Sequence, residues 1–308
     1  MVTSPNTGGA GLDYVVVDVF TDSALKGNPL AVVGNTCALE TAQMQSIARE
    51  FNLSETTFIE RRSPEVEQAE GIRVRIFTTK EELPFAGHPT LGTASVLKAT
   101  APETVRSDTV TLVLNVGPVP VHFETKDGNA AAHFGEMTQL DPEFGAELEA
   151  EAIAPFLGLT VDDLDPALRP QVVSTGNPFA ITVLRSVEAL GRLRVKEEES
   201  TPWLRERGAR WFYVMAPDLG QSPPHWRARM QFNGGEDPAT GSAAGCAIAY
   251  LVDRGAVSSD MRVYLRQGVE MGRPSDLFLT AKKDSAGVRD VRVAGSTILV
   301  AKGQLFLP

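Results

Sequence analysis

The stretch Phe232-Asn-Gly-Gly-Glu-Asp-Pro-Ala-Thr-Gly-Ser-Ala-Ala-Gly-Cys-Ala-Ile-Ala-Tyr250 decides how this chain is read. It opens with turn residues and an Asp237–Pro238 pair, passes through Thr240, Gly241 and Ser242, and continues without a charge to Val252. The uncharged tail predicts a helix apolar on every side, which has to be buried completely. Ala243, Ala244, Gly245, Cys246 and Ala247 are small, so other backbone can pack close around it. The first turn of such a helix carries N–H groups without intrahelical partners and the positive end of the helix dipole. That makes a seat for a small anion such as a carboxylate. An ordinary capped core helix would read the same way from this stretch alone.

Working outward, the pattern returns earlier in the chain. Gly87-His-Pro-Thr-Leu-Gly-Thr-Ala94 echoes Glu236-Asp-Pro-Ala-Thr-Gly-Ser-Ala243, and Gly27-Asn-Pro-Leu-Ala-Val-Val33 echoes Gly176-Asn-Pro-Phe-Ala-Ile-Thr182. Asn28 stands 60 positions before His88, and Asn177 the same distance before Asp237. The matching order points to duplication. The chain then reads as α+β, with two pseudo-symmetric halves, each a barrel-like β-sheet around one small-residue central helix. Both helix starts would face one cleft. Residues 1–127 form the expected N-terminal half and 128–308 the C-terminal half, with the last strand, about 296–308, free to pack onto the first. The echo matches His88 with Asp237 and leaves Glu55 without a counterpart, since the corresponding position falls near Leu204.

Around these motifs, β-branched runs predict strands at 14–20, 30–33, the β-branched and aromatic end of 52–59, 72–77, 110–116 and 119–123. Helical spacing of Met44, Ile47, Ala48 and Phe51 predicts a helix over 40–51, and 83–97 forms a second candidate. The charged segment Arg61 to Glu70 reads as a loop. The Asp/Glu/Pro-rich 137–170 reads as the connection between halves, with a short helix near 147–157. In the second half, strands are expected at 172–184 around a turn, 211–215, 226–232, 263–266, 276–281, 288–294 and 296–306, with a charged helix over 187–199.

A chain of 308 residues with 43% hydrophobic and 22% charged residues has the composition of a soluble globular protein. A net charge of −10 argues against nucleic acid and anionic membrane as partners. No apolar run reaches the length of a membrane span. Residues 1–12 read as a frayed tail without signal-peptide features. Two cysteines, Cys37 and Cys246, imply no disulfide framework and fit a reducing, cytoplasmic compartment. The four histidines show no paired metal-ligand spacing, and there is no G-x-S-x-G elbow, phosphate loop or dinucleotide fingerprint.

Three titratable residues are candidates for acid–base work: Glu55, His88 and Asp237. A Glu at a strand start is compatible with plain solvation, but apolar cleft walls would raise its pKa into the range useful for proton transfer. His88 is equally readable as a structural histidine, and Asp237 as a turn or N-cap residue before Pro238. Asn28, Ser54, Gly87, Gly241 and Ser242 are the candidate substrate-binding residues, the last two through hydroxyl and backbone donors to a substrate anion. Substrate-side residues are also expected in loops such as Arg61 to Glu70 and Gln221 to Trp226.

The set Gly27-Asn-Pro, Phe51-Asn-Leu-Ser-Glu-Thr-Thr-Phe58, Leu83-Pro-Phe-Ala-Gly-His-Pro-Thr-Leu-Gly-Thr-Ala94, Ser174-Thr-Gly-Asn-Pro178 and Glu236-Asp-Pro-Ala-Thr-Gly-Ser-Ala-Ala244 resembles the PhzF-like (phenazine biosynthesis) family. The resemblance implies the diaminopimelate-epimerase-like fold, a cofactor-free enzyme with no metal, and a homodimer. In the phenazine enzyme of that family a glutamate, matching Glu55, shuttles a proton during isomerisation of trans-2,3-dihydro-3-hydroxyanthranilate. The family's His and Asp match His88 and Asp237. Related epimerases use one cysteine from each half, whereas this chain has Ala86-Gly87 and Asp237-Pro238-Ala239 there, which disfavours two-thiol racemisation. The expectation is an isomerase acting on a small carboxylate-bearing metabolite. The alternatives are a lyase or cyclase using the same acid–base set, or a non-catalytic ligand-binding member of the fold.

Overall fold

β-Branched and aromatic runs make the strands, and Gly-, Asn- and Pro-rich pairs turn them. The computed structural model describes residues 11–100, 108–124, 131–219, 225–232 and 234–307. Of the expected tail at 1–12, residues 1–10 lie outside them.

The first half contains β1 (Leu12–Val19), β2 (Asn28–Val33), α1 (Thr41–Phe51), β3 (Glu55–Glu60), α2 (Pro64–Glu70), β4 (Ile72–Phe77), β5 (Glu82–Leu83), α3 (Gly87–Thr100), β6 (Thr109–Leu114), β7 (Gly117–Glu124) and β8 (Ala132–Thr138). There follow β9 (Glu143–Glu147), α4 (Ala150–Ile153), β10 (Gln171–Ser174), β11 (Pro178–Val183), α5 (Val187–Gly191), α6 (Glu197–Glu206), β12 (Trp211–Asp218) and β13 (His225–Arg229). The chain ends with the short pair β14 (Gln231–Phe232) and β15 (Gly235–Glu236), then α7 (Gly241–Asp253), β16 (Val263–Gln267), β17 (Ser275–Asp284) and β18 (Gly287–Leu305).

The pairing series demonstrates the duplication. In the first half β1–β2 is antiparallel, β2–β3 parallel, β3–β4 antiparallel, β4–β6 parallel, and β6–β7 and β7–β8 antiparallel. The same order of senses recurs through β10–β11, β11–β12, β12–β13, β13–β16, β16–β17 and β17–β18. β18 pairs with β17 and β8 along its first part and with β1 from Thr297 to Leu305. It thereby closes a ring of β1, β2, β3, β4, β6, β7, β8 and β18. The chain leaving β8 returns the device, because it runs into β9, which pairs with β10. The two rings share the β8–β18 ladder, where Gly135 faces Gly295.

Inside the first ring lies α3, packed against β1, β2, β6 and β8; inside the second lies α7, packed against β10, β11, β17 and β18. Every residue of α7 from Gly241 to Val252 is buried, as its uncharged sequence demands. Outside the first ring, α1 covers Val33, Phe58 and Phe77. Outside the second, a separate apolar cluster packs Ile153, Leu157, Leu190 and Leu204 against Ala180, Phe212 and Val214.

Some segments differ from the sequence reading. The charged segment at 61–70 contains helix α2, introduced by Ser63 with Pro64 in its first turn, and fixed because Glu67 is buried under a two-pronged bond from Arg61 at 2.9 Å. The single helix expected over 187–199 is two, since Ser186 caps α5 and Gly191 ends it before α6 begins at Glu197. The connection at 137–170 holds β9 and the end of β8 as well as its short helix. The strands expected at 288–294 and 296–306 are one continuous strand, because Gly295 continues the ladder. Among the described residues no helix is long and apolar enough to cross a membrane.

Candidate active site

Both Gly-Asn-Pro turns reach across to the opposite half. Asn28 Nδ2 donates to the Ala239 carbonyl at 2.8 Å, and Asn177 Nδ2 to the Phe85 carbonyl at 2.8 Å. Ala239 and Phe85 lie at matching places, just before the first residues of α7 and α3. There the two helices meet: a Cβ on Gly87 would fall 2.6 Å from the Ser242 nitrogen and 2.7 Å from the Gly241 Cα. Only glycine permits that approach.

This contact corrects the register of the echo. Gly87 answers to Gly241, His88 to Ser242 and Pro84 to Pro238, so His88 and Asp237 are not counterparts. The counterpart of Glu55 is Trp211, not a residue near Leu204. Leu30 pairs with Glu55 across the parallel β2–β3 ladder just as Phe179 pairs with Trp211 across β11–β12. Glu55 is therefore still the acid without an acidic counterpart, and an indole holds the symmetric position in the second half.

Helix α1 is stopped by Asn52 in a left-handed conformation, φ 51°, which asparagine tolerates. The chain then passes Leu53 and Ser54 and enters β3 with Glu55 as its first residue. Glu55 is buried, and its Oε2 has no hydrogen-bond partner among the described residues. Burial raises its pKa well above the usual carboxylate range, and the neighbouring Asp237 adds to the effect.

Asp237 is also buried but well supplied with donors. Its Oδ1 accepts from Asn28 Nδ2 at 2.8 Å and Ser54 Oγ at 3.1 Å, and its Oδ2 from Thr240 Oγ1 at 2.6 Å. Desolvation lifts its pKa to about 6 while these bonds pull it down. His88, the second residue of α3, has Nδ1 3.2 Å from Asn28 Nδ2 and 3.5 Å from Glu55 Oε2. Turning the Asn28 amide over would set its oxygen against Asp237 and the Ala239 carbonyl, so Nδ2 is the atom that faces them. The two Nδ2 hydrogens go to those oxygens at 2.8 Å, and the His88 Nδ1 at 3.2 Å is the longest of the three contacts. Burial lowers the His88 pKa to about 3 and keeps the ring neutral. Its Nε2 and the Asn28 Oδ1 are buried without partners among the described residues.

The structure thus gathers Asn28, Ser54, Glu55, His88 and Asp237 into one cluster at the junction of helix starts that holds Gly87, Gly241 and Ser242. They form two layers. Glu55, Asp237 and Ser242 line a cleft of about 270 Å³ between the halves; Asn28, Ser54, Gly87, His88 and Gly241 stand behind that wall. None of Arg61 to Glu70 lines it, because Arg61 and Arg62 are committed to Glu67 and Glu70. Of the loop expected at 221–226, residues 221–224 lie outside the described ones. Among the described residues no group of His, Cys, Asp and Glu is placed to hold a metal ion.

The profile of the phenazine biosynthesis-like protein family, PhzC-PhzF, matches residues 17–303. The chain belongs to the PhzF-type family. It is 36% identical to an uncharacterized isomerase of Mesorhizobium japonicum, over 96% of this chain and 99% of that one. It is 34% identical to the trans-2,3-dihydro-3-hydroxyanthranilate isomerase of Pseudomonas aeruginosa, over 96% and 99%. A solved structure of a predicted epimerase from Pseudomonas aeruginosa superposes with a TM-score of 0.81 at 34% identity, covering 96% of this chain and all of that one. The protein is an isomerase, and its epimerase-like α+β fold is the one expected.

Several residues that build this PhzF-type site carry no motif in the sequence. Gln267, buried on β16, donates to the Asp237 carbonyl at 2.9 Å and to Thr240 Oγ1 at 3.0 Å, while its oxygen accepts from the Thr240 amide and the Tyr213 hydroxyl. Gln139 donates to the Gly241 carbonyl at 2.9 Å and accepts from Thr175 at 2.6 Å. Asn177 was legible, since it holds the same place in the second Gly-Asn-Pro as Asn28 in the first.

Proposed function

We propose that the chain is a cofactor-independent isomerase that moves a proton between two carbons of a small carboxylate-bearing substrate, with Glu55 as the proton carrier. The observation that carries this is the buried Glu55 carboxyl on the cleft wall, its Oε2 without a hydrogen bond among the described residues, at a position whose symmetry mate is not an acid. A raised pKa makes its carboxylate a stronger base and keeps the acid form populated for the return step. A single base takes the proton from one carbon and returns it to another on the same face.

Asp237 and Ser242, on the opposite wall, orient the substrate, and the positive end of the α7 dipole favours its carboxylate or a developing oxyanion. His88, behind Glu55, acts through it: a neutral imidazole with its Nδ1 3.5 Å from Oε2 positions the carboxyl without competing for charge. The reaction of the Pseudomonas relative, isomerisation of trans-2,3-dihydro-3-hydroxyanthranilate, has this character, and that compound is the first substrate to test.

Glu55→Gln should abolish deuterium incorporation from heavy water into the bound compound, a loss of at least about 10³-fold, with affinity retained. Product mass should equal substrate mass in the unaltered protein. Undiminished exchange in the variant would dismiss Glu55 as carrier, and loss of the mass of water would move the reading to a lyase.

A further inference from the structure

The cleft has a second, chemically different end. Trp211, the symmetry mate of Glu55, lines it together with Phe179 and Phe232; its ring centroid lies 5.8 Å from that of Phe179 and 5.5 Å from that of Phe232. Arg210 sits beside this aromatic wall with its guanidinium 4.3 Å from the Trp211 centroid, and its backbone amide donates to the Pro178 carbonyl at 3.0 Å. Lys80 and Arg205 also line the cleft. Three cations, Lys80, Arg205 and Arg210, thus stand there together with the acids Glu55, Glu81, Glu197 and Asp237.

Arg210 also spans the cleft. Its Nη2 donates to Glu81 Oε1 at 2.6 Å, so a residue of the second half holds a carboxylate of the first. The side chain of Glu81 is 54% exposed, and that of Arg210 33%. An ion pair so open to water is weak and easily exchanged. A guanidinium that lies on an indole face, with its backbone fixed beside the Gly-Asn-Pro turn, is a preorganised receptor for a planar carboxylate.

We infer that Arg210 is a specificity-determining residue that receives a second anionic group of the substrate, and that the Glu81 carboxylate occupies that seat in the ligand-free protein. This rests on the carboxylate-isomerase reading of the same cleft and names the substrate class: a ring-bearing or otherwise flat dianion. One carboxylate lies at the helix starts near Ser242, the flat body lies along Trp211, and the second anion lies on Arg210. Binding exchanges one carboxylate for another on the guanidinium and returns Glu81 to water.

The test uses binding rather than turnover, so it stands or falls apart from the role of Glu55. Benzoate, isophthalate and terephthalate are titrated into the full-length protein by calorimetry, with Trp fluorescence as a second readout. At least one dicarboxylate should bind about tenfold more tightly than benzoate. Arg210→Gln should erase that preference while leaving benzoate affinity within about twofold, and Glu81→Gln, which frees the guanidinium, should tighten the dicarboxylate about two- to fivefold. Glu55→Gln should keep the preference. Equal affinity for mono- and dicarboxylates in the unaltered protein, no measurable binding of either dicarboxylate, an Arg210→Gln variant that weakens both kinds alike, or a Glu81→Gln variant that weakens the dicarboxylate would each overturn the inference.

Discussion

Two buried residues of the site respond to pH in opposite senses. His88 has its pKa lowered to about 3 from 6.5, so its contribution to stability is present above 6.5 and is lost as pH falls towards 3. Asp237 has its pKa raised from 3.8 to about 6, so its contribution is present below 3.8 and is lost as pH rises through 6. Between these limits the two slopes oppose each other. Asp237→Asn removes one of them. Relative to the parent, the variant should gain on the order of 1–3 kcal/mol at pH 7–8, and the gain should vanish near pH 4. Thermal melts across that range check this, and a gain independent of pH would show that Asp237 is not a strained anion. The candidate cluster itself was legible, because Asn28, Ser54, Glu55, His88 and Asp237 sit in short motifs with turn chemistry. Gln267 and Trp211 were not, since a strand glutamine and a strand tryptophan look like ordinary sheet residues until their neighbours are known.

Elements carry the next level of the design. Helices α3 and α7 announce themselves by the uncharged runs 87–97 and 241–252, which only an interior position tolerates. What their sequences hide is how closely they approach. Gly87→Ala drives a methyl into the backbone of Gly241 and Ser242, which cannot rotate away as a side chain could. It should cost about 1–3 kcal/mol and lower proton exchange by more than about tenfold, by parting the two helix starts. Gly191→Ala, where a methyl meets nothing within 4 Å, is the control and should stay within about 0.5 kcal/mol. Chemical denaturation of both variants separates the effects. Helix α2 escaped the sequence reading because seven residues give too little apolar periodicity. Its order comes from the buried Glu67, which draws both Arg61 and the Arg62 amide.

At the scale of the molecule the halves are joined by more than the cleft. β18 belongs to both rings, and Arg273, in the loop before β17, grips the first half just ahead of Asn28. Its Nη2 donates to Asp18 at 2.7 Å and to the Lys26 carbonyl at 2.8 Å, and its Nε to the Gly27 carbonyl at 2.9 Å. Asp18 is buried, and burial already raises its pKa. Arg273→Ala would strand that carboxylate and loosen the turn that presents Asn28, at a cost of up to about 3 kcal/mol. With the guanidinium gone, the Asp18 pKa should rise further, so the deficit should be largest above neutrality and shrink as acid protonates Asp18. Melting curves at pH 5 and pH 8 check this, and an equal deficit at both would mean that Asp18 had found another partner.

The sequence by itself determined the two-fold repeat, the pair of buried helices, the Gly-Asn-Pro turns and the identity of the candidate acid and base, because each is written in local chemistry: uncharged runs, small residues, turn residues. Tertiary structure alone decided which residues are counterparts, that Trp211 holds the place of Glu55 in the second half, that His88 stands behind the cleft wall, and that β18 closes the first ring while joining the second. Those are facts of strand register and of contact between distant segments. A shift of register changes every neighbour while leaving the sequence pattern untouched.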